Sequence, residues 1–131
     1  ILRFNRESVA DLEAGRHFPR MDGRDVFKHA VTRMPEVLGE VLEAEGLTAA
    51  DLDLLIPHQA NLRISQMVQK RLGLSDDRVY NNIQRYGNTT AATIPIALAE
   101  ASREGRLKRG DLVGLVAFGS GFTWGASLVR W

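Results

Sequence analysis

Apolar residues Phe27, Ala30, Val31, Met34, Val37, Leu38, Val41 and Leu42 recur at steps of three and four, the period of a helix with one buried face. Gly46 follows as its stop. After a polar turn from Thr48 to Asp51 the pattern changes. Leu52, Asp53, Leu54, Leu55 and Ile56 form a compact apolar run stopped by Pro57, which predicts a buried strand. Asn61 then stands where a cap would, ahead of Ile64, Met67, Val68 and Leu72 at helical spacing, with Gly73 closing this second helix. Val79 and Tyr80 are expected as a short strand. Beyond the polar stretch from Asn81 to Asn88, a third helix is predicted from about Thr90 to Glu104. Its residues Ile94, Leu98 and Ala101 face inward, and Pro95 either kinks it or falls near its first turn.

Lys108 to Asp111 reads as a turn into Leu112 to Phe118, a nearly continuous apolar run of the kind found in a strand buried on both faces. Gly119, Ser120 and Gly121 reverse the chain into Phe122 to Trp131, so the sequence is expected to end in an antiparallel hairpin. Helices alternating with strands before a closing hairpin predict an α/β layered domain with a mixed sheet. With no internal repeat, linker or low-complexity segment, residues 1–131 read as one domain.

Composition narrows the function. The chain of 131 residues is 44% hydrophobic and 25% charged, enough for a core without disulfides or metal. Its 17 Lys plus Arg against 16 Asp plus Glu leave a net charge of +1, which creates no overall field for nucleic acid or an anionic membrane. No apolar run approaches the roughly 20 residues that span a bilayer, and no signal peptide pattern opens the chain. A cytosolic location is the expectation. Zero cysteines exclude a disulfide framework, a thiolate metal site and a cysteine nucleophile within these residues. An opening on Ile1, Leu2 and Arg3 is expected of a fragment or a processed product.

Three loops carry candidate chemistry. Pro57, His58, Gln59, Ala60 and Asn61 lie between a predicted strand and a helix start, where α/β sheets gather functional groups. His58 is either a loop histidine bonded to a backbone carbonyl, or a group that exchanges a proton or donates to a developing oxyanion near neutral pH. Asn88, in Tyr86-Gly87-Asn88-Thr89-Thr90, either caps the following helix or presents an uncharged amide donor to an oxyanion or enolate. Gly87 beside it permits unusual backbone angles. Phe118-Gly119-Ser120-Gly121 is accounted for by a hairpin turn, and it lacks the lysine and helix of a phosphate loop. Its amides are alternatively part of an oxyanion site, with Phe118 packed beside the reacting groups. Arg63, two residues after Asn61 at the mouth of the candidate site, is placed to meet an anionic group. Lys70 and Arg71 read as solvated surface, and His17 and His29 as structural or exposed.

Four segments, MDGRDVFKHAV (Met21 to Val31), IPHQANLRI (Ile56 to Ile64), RYGNTTAATIP (Arg85 to Pro95) and AFGSGFTWGASLVRW (Ala117 to Trp131), together resemble the β-ketoacyl-[acyl carrier protein] synthase III family from about residue 21 onward. The resemblance implies a thiolase-like fold of two similar halves, each on a five-stranded mixed sheet, of which this chain is the second. It implies a Cys-His-Asn site in which His58 and Asn88 are the histidine and asparagine, and the cysteine belongs to the absent N-terminal half. By the same resemblance Asn61 supports an active-site water network, Arg63 lies near the carrier-protein and pantetheine entrance, Phe118 shields the site, and Gly119 lies near the oxyanion position.

The implied reaction is a decarboxylative condensation of malonyl-[acyl carrier protein] with an acyl group taken from acyl-CoA, as in fatty-acid initiation. It uses CoA and phosphopantetheine thioesters as substrates and no metal or redox cofactor. The implied partners are acyl carrier protein, acyl-CoA, the N-terminal half and, in the complete enzyme, a second copy in a homodimer. The His and Asn pair speaks for a type III synthase over elongating synthases with two histidines. The lack of Cys in the Gly119 turn speaks against a degradative thiolase. A related condensing enzyme of polyketide or secondary metabolism and a non-catalytic acyl-CoA or carrier-protein binding module remain as alternatives.

Overall fold

A computed structural model describes residues 9–18 and 21–131; the opening residues Ile1 to Arg3 lie outside them. A short helix α1 (Val9–Glu13) precedes the long α2 (Gly23–Ala44). Asp22 starts α2 by accepting the backbone N–H groups of Arg24 and Asp25, both at 3.0 Å, which satisfies two donors that have no partner inside the helix. Ala30, Val31, Met34, Leu38 and Leu42 are its buried residues, so the stripe read from the sequence is the face that packs. Pro35 sits inside this helix, where its ring removes one backbone hydrogen bond. The stripe continues on both sides of it.

Strand β1 (Leu54–Pro57) leads into α3 (Leu62–Leu72), a one-turn α4 (Ile83–Tyr86) and α5 (Thr93–Arg103), followed by β2 (Leu112–Gly119) and β3 (Thr123–Arg130). The sheet order is β1-β2-β3. Strand β1 runs parallel to β2, with Leu54 opposite Val113 and Pro57 opposite Val116. Strand β3 runs antiparallel to β2, with Phe118 opposite Trp124 and Gly119 opposite Thr123. This is the mixed sheet with a terminal hairpin that the patterning predicted, and β2 lies at its centre.

Side chains alternate across the sheet with a period of two. Leu55, Leu112, Val116 and Phe118 join α2 and α3 in one cluster. Leu54, Ile56 and Val113 join Ala97 and Ala101 of α5, with Ile94 and Leu98 packed against them, in the other. Two helical layers therefore enclose one sheet, as the apolar runs of β1 and β2 require.

Three expectations are corrected. The sheet has three strands among the described residues, not five; Val79 and Tyr80, expected as a short strand, make only an isolated parallel bridge from Val79 to Leu55 and one backbone hydrogen bond, from the Tyr80 N–H to the Leu55 carbonyl at 2.9 Å. The first strand begins at Leu54 and not Leu52, because Leu52 closes the 3-10 turn Ala49–Asp51. The third helix begins at Thr93, after a separate 3-10 turn Thr90–Ala92. Pro95 consequently falls in its first turn, where a missing N–H costs nothing.

Candidate active site

Strand β1 ends at Pro57, and the backbone N–H of His58 continues its ladder by donating to the Val116 carbonyl at 2.8 Å. His58, Phe118 and Gly119 thus sit at the carboxyl ends of two adjacent parallel strands, the edge where open α/β sheets place ligands. The imidazole is half-buried, and that burial lowers its pKa below the ordinary histidine value because a charged ring loses solvation. Its Nδ1 lies 2.6 Å from Thr93 Oγ1 on α5, so the bond is to a side chain and not to a backbone carbonyl.

Thr93, 2% exposed, also donates its hydroxyl to the Thr90 carbonyl at 3.0 Å. The Thr90 N–H in turn donates to Asn88 Oδ1 at 2.9 Å. A continuous path of three hydrogen bonds therefore joins His58 to Asn88. Thr90 has φ of 54°, a left-handed conformation unusual for a residue with a branched side chain, which turns its amide to Asn88 and its carbonyl to Thr93.

Asn88 is exposed and does not cap α5, whose cap position is Ala92 with no side-chain hydrogen bond. Its carbonyl oxygen closes a local turn on Thr90, which leaves the amide NH2 as its outward hydrogen-bonding group. Gly87, at φ 67° and ψ −159°, ends α4 and supplies the turn into Asn88, a conformation open to glycine and costly for other residues.

The loops that carry these residues are tied down by buried polar groups that the sequence reading passed over. Gln59, 2% exposed, donates to the carbonyls of Pro57 at 2.7 Å and Tyr80 at 3.3 Å. Its Oε1 accepts the N–H groups of Asn82 at 3.0 Å and Ile83 at 3.2 Å. One side chain thereby clamps the His58 loop to the segment that leads to Asn88. Glu100 on α5 accepts from Asn82 Nδ2 at 2.8 Å, from Arg85 at 2.9 Å and from the Tyr86 hydroxyl. The Tyr86 hydroxyl first, then the Asn82 amide, hold the Glu100 carboxyl below its ordinary pKa. The only signal in the sequence for either residue was a polar side chain beside, or on, a buried apolar stripe: Thr93 and Glu100 share the inward face of α5 with Ala97 and Ala101.

Asn61 caps α3, its Oδ1 accepting the Arg63 N–H at 2.9 Å. Arg63 is exposed, with its guanidinium carbon 5.8 Å from the Phe27 ring centre. Met21, Arg24 and Phe27 at the start of α2, Asn61 and Arg63 at the start of α3, and Asn88 all line one cavity of about 450 Å³. The two arginines that meet there favour an anionic group. His58, Phe118 and Gly119 are not in its wall. Phe118 is 7% exposed and belongs to the core, with its ring 5.0 Å from Phe122 and stacked on Trp124 at 6.2 Å; Gly119 is exposed at the end of β2. Among the described residues no three His, Cys, Asp or Glu side chains gather as metal ligands would, and no helix is long and apolar enough to cross a membrane.

A family model for 3-oxoacyl-[acyl-carrier-protein (ACP)] synthase III, C terminal, matches residues 42–131. The chain is 50% identical over 126 residues to the beta-ketoacyl-[acyl-carrier-protein] synthase III of Nitratidesulfovibrio vulgaris (strain DP4), covering 96% of this chain and 38% of that protein. It is 52% identical over 130 residues to the synthase III of Clostridioides difficile (strain 630), covering 99% and 39%. The crystal structure of 3-oxoacyl-[acyl-carrier-protein] synthase III from Aquifex aeolicus VF5 superposes with a TM-score of 0.84 at 53% identity, over 86% of this chain and 36% of that one. The chain thus spans about two fifths of the length of the curated relatives it matches.

Proposed function

The chain belongs to the 3-oxoacyl-[acyl-carrier-protein] synthase III C-terminal family and shares its thiolase-like fold, and on that footing we propose that it is the C-terminal part of a condensing acyltransferase of fatty-acid initiation. In the complete enzyme an acyl-CoA transfers its acyl group to a cysteine outside these residues, forming a new thioester and releasing CoA. Malonyl-[acyl carrier protein] then enters. Its bond to the terminal carboxylate breaks, carbon dioxide leaves, and the electron pair passes to the α-carbon and the thioester oxygen as an enolate. That carbon attacks the acyl-enzyme carbonyl, the bond to the cysteine sulfur breaks, and 3-oxoacyl-[acyl carrier protein] departs.

His58 and Asn88 are assigned to the enolate oxygen. Each contributes about 2 to 4 kcal/mol of transition-state stabilisation, the usual worth of an oriented oxyanion donor. Asn61 and Arg63 are assigned to the pantetheine arm and the carrier protein at the cavity mouth, Phe118 to shielding, and Gly119 to the second oxyanion position. The scheme requires no metal or redox cofactor, and the complete enzyme is proposed to act in the cytoplasm as a homodimer.

The observation that carries the reading is the hydrogen-bonded path from His58 through Thr93 and Thr90 to Asn88, beside a cavity that both Asn88 and Arg63 line. A loop histidine and a turn asparagine with no joint task have no need of a common path. The test is malonyl-[acyl carrier protein] decarboxylation by the complete enzyme with His58→Ala and Asn88→Ala. A loss of roughly 30-fold or more in each supports the assignment, and wild-type rates in both sink it. The 131-residue chain alone is expected to yield no 3-oxoacyl product.

A further inference from the structure

Arg24 on α2 and Arg63 on α3 line the same cavity, and among the described residues no carboxylate shares its wall. Arginines elsewhere are answered from within the fold. Arg16 meets Asp11, Arg33 meets Glu36 and Arg85 meets Glu100 and Glu104, while Arg78 and Arg106 donate to backbone carbonyls. Arg63 leans its guanidinium over the Phe27 ring. Arg24 stands three residues before Phe27, hence on the same helical face, and its exposed guanidinium has no carboxylate or hydrogen-bond acceptor among the described residues. Its acidic neighbours are engaged elsewhere: Asp22 accepts two backbone N–H groups, and Asp25 lies 3.5 Å from His29. From this we infer that Arg24 is a specificity-determining residue that binds the phosphate at the head of a substrate's pantetheine arm.

The cavity suits such an arm along its length. Val26, Phe27 and Ile64 offer carbon surface, and Asn61 and Asn88 offer amide groups, the mixture that receives a thin, uncharged chain of methylenes and amides. The phosphate is the one charged group of that arm, and the planar fork of an arginine matches two of its oxygens. The same arm is carried by CoA and by the carrier protein. This separates Arg24 from Arg63. A residue that meets the surface of the carrier protein acts on one thioester, whereas a residue that reads the phosphate acts on both.

The identity of the ligand rests on the condensing-enzyme reading above, and two measurements keep the two claims apart. The first is binding of 4′-phosphopantetheine and of pantetheine to the complete enzyme, followed by ligand-observed NMR titration. Wild type is expected to bind the phosphorylated arm roughly 10- to 100-fold more tightly, the worth of charged hydrogen bonds to one group. Arg24→Gln is expected to reduce that ratio to about 3 or less, and Arg24→Lys, which keeps the charge and loses the fork, to a value between. The second is kcat/KM for acyl-CoA priming and for malonyl-[acyl carrier protein], which Arg24→Gln is expected to lower by similar factors of roughly 10 to 100. No preference for the phosphate in wild type, a preference that survives Arg24→Gln, or a loss confined to one thioester overturns the inference. Should the Gln variant not fold, the Lys variant against wild type carries the same comparison. If the binding ratios are as expected but His58→Ala retains decarboxylation, the functional reading fails and the phosphate assignment stands.

Discussion

Gln59 Oε1 accepts the backbone N–H of Asn82 at 3.0 Å, which ties the turn after β1 to the segment that carries Asn88. The same side chain also serves Ile83, Pro57 and Tyr80, so both ends of its amide are fully used at a site 2% exposed. Replacement by leucine preserves volume but leaves buried N–H and C=O groups without partners, each costing about 1 to 3 kcal/mol. Gln59→Leu is expected to destabilise the protein by about 2 to 4 kcal/mol, read as a lower urea midpoint at unchanged slope. A shift under about 0.5 kcal/mol would show that this clamp is dispensable.

Glu100 gathers Asn82, Arg85 and Tyr86 onto α5. Its pKa is lowered in the fold from the ordinary 4.5, so the unfolded chain takes up this proton first as the pH falls. The stabilisation is present above about pH 4.5 and is lost as the pH drops through the folded value. Glu100→Gln is expected to melt at a lower temperature than wild type at pH 7 and to show a shallower decline between pH 5 and pH 3. Parallel melting curves for the two proteins across that range would contradict the network's role.

Gly114 lies at the centre of β2, where an added Cβ would sit 3.1 Å and 3.3 Å from the two methyl carbons of Leu52 and 3.4 Å from Leu38 Cδ1. Both leucines are fully buried and have little space to yield. Gly114→Val is expected to cost about 1 to 3 kcal/mol through overpacking, measured by urea unfolding. Gly114→Ala is expected to cost less. Neutral behaviour of the valine variant would mean that the α2 face of the sheet is loosely packed.

Arg63 lines the cavity with Asn88 and leaves its guanidinium exposed. If it meets the carrier protein, Arg63→Ala in the complete enzyme lowers kcat/KM for malonyl-[acyl carrier protein] by roughly 10- to 100-fold, the worth of one or two charged hydrogen bonds. Acyl-CoA priming is expected to fall by less. Equal losses in the two half-reactions would count against a carrier-protein contact.

Much of this architecture was determined by local pattern. The stripe of α2, the cap at Asn61, the buried run of β2 and the turn before β3 each depend on neighbours within a few residues, so their spacing alone predicts them. The loops bearing His58 and Asn88 were legible for the same reason, since each stands between a recognisable element and a helix start. Strand limits were less so. Val79 and Tyr80 have strand-forming side chains, but only pairing with Leu55 decides how far a strand extends, and pairing is not local.

Tertiary structure alone decided what holds those loops in place. Thr93 is 35 residues from His58, and Gln59 is 23 residues from Asn82; no periodicity connects such pairs. From the sequence, Thr93 is one polar residue at the start of an apolar helix and Gln59 one amide in a loop. Their worth comes from being enclosed where water cannot replace a lost partner, and that enclosure exists only after β1, β2 and α5 have packed together.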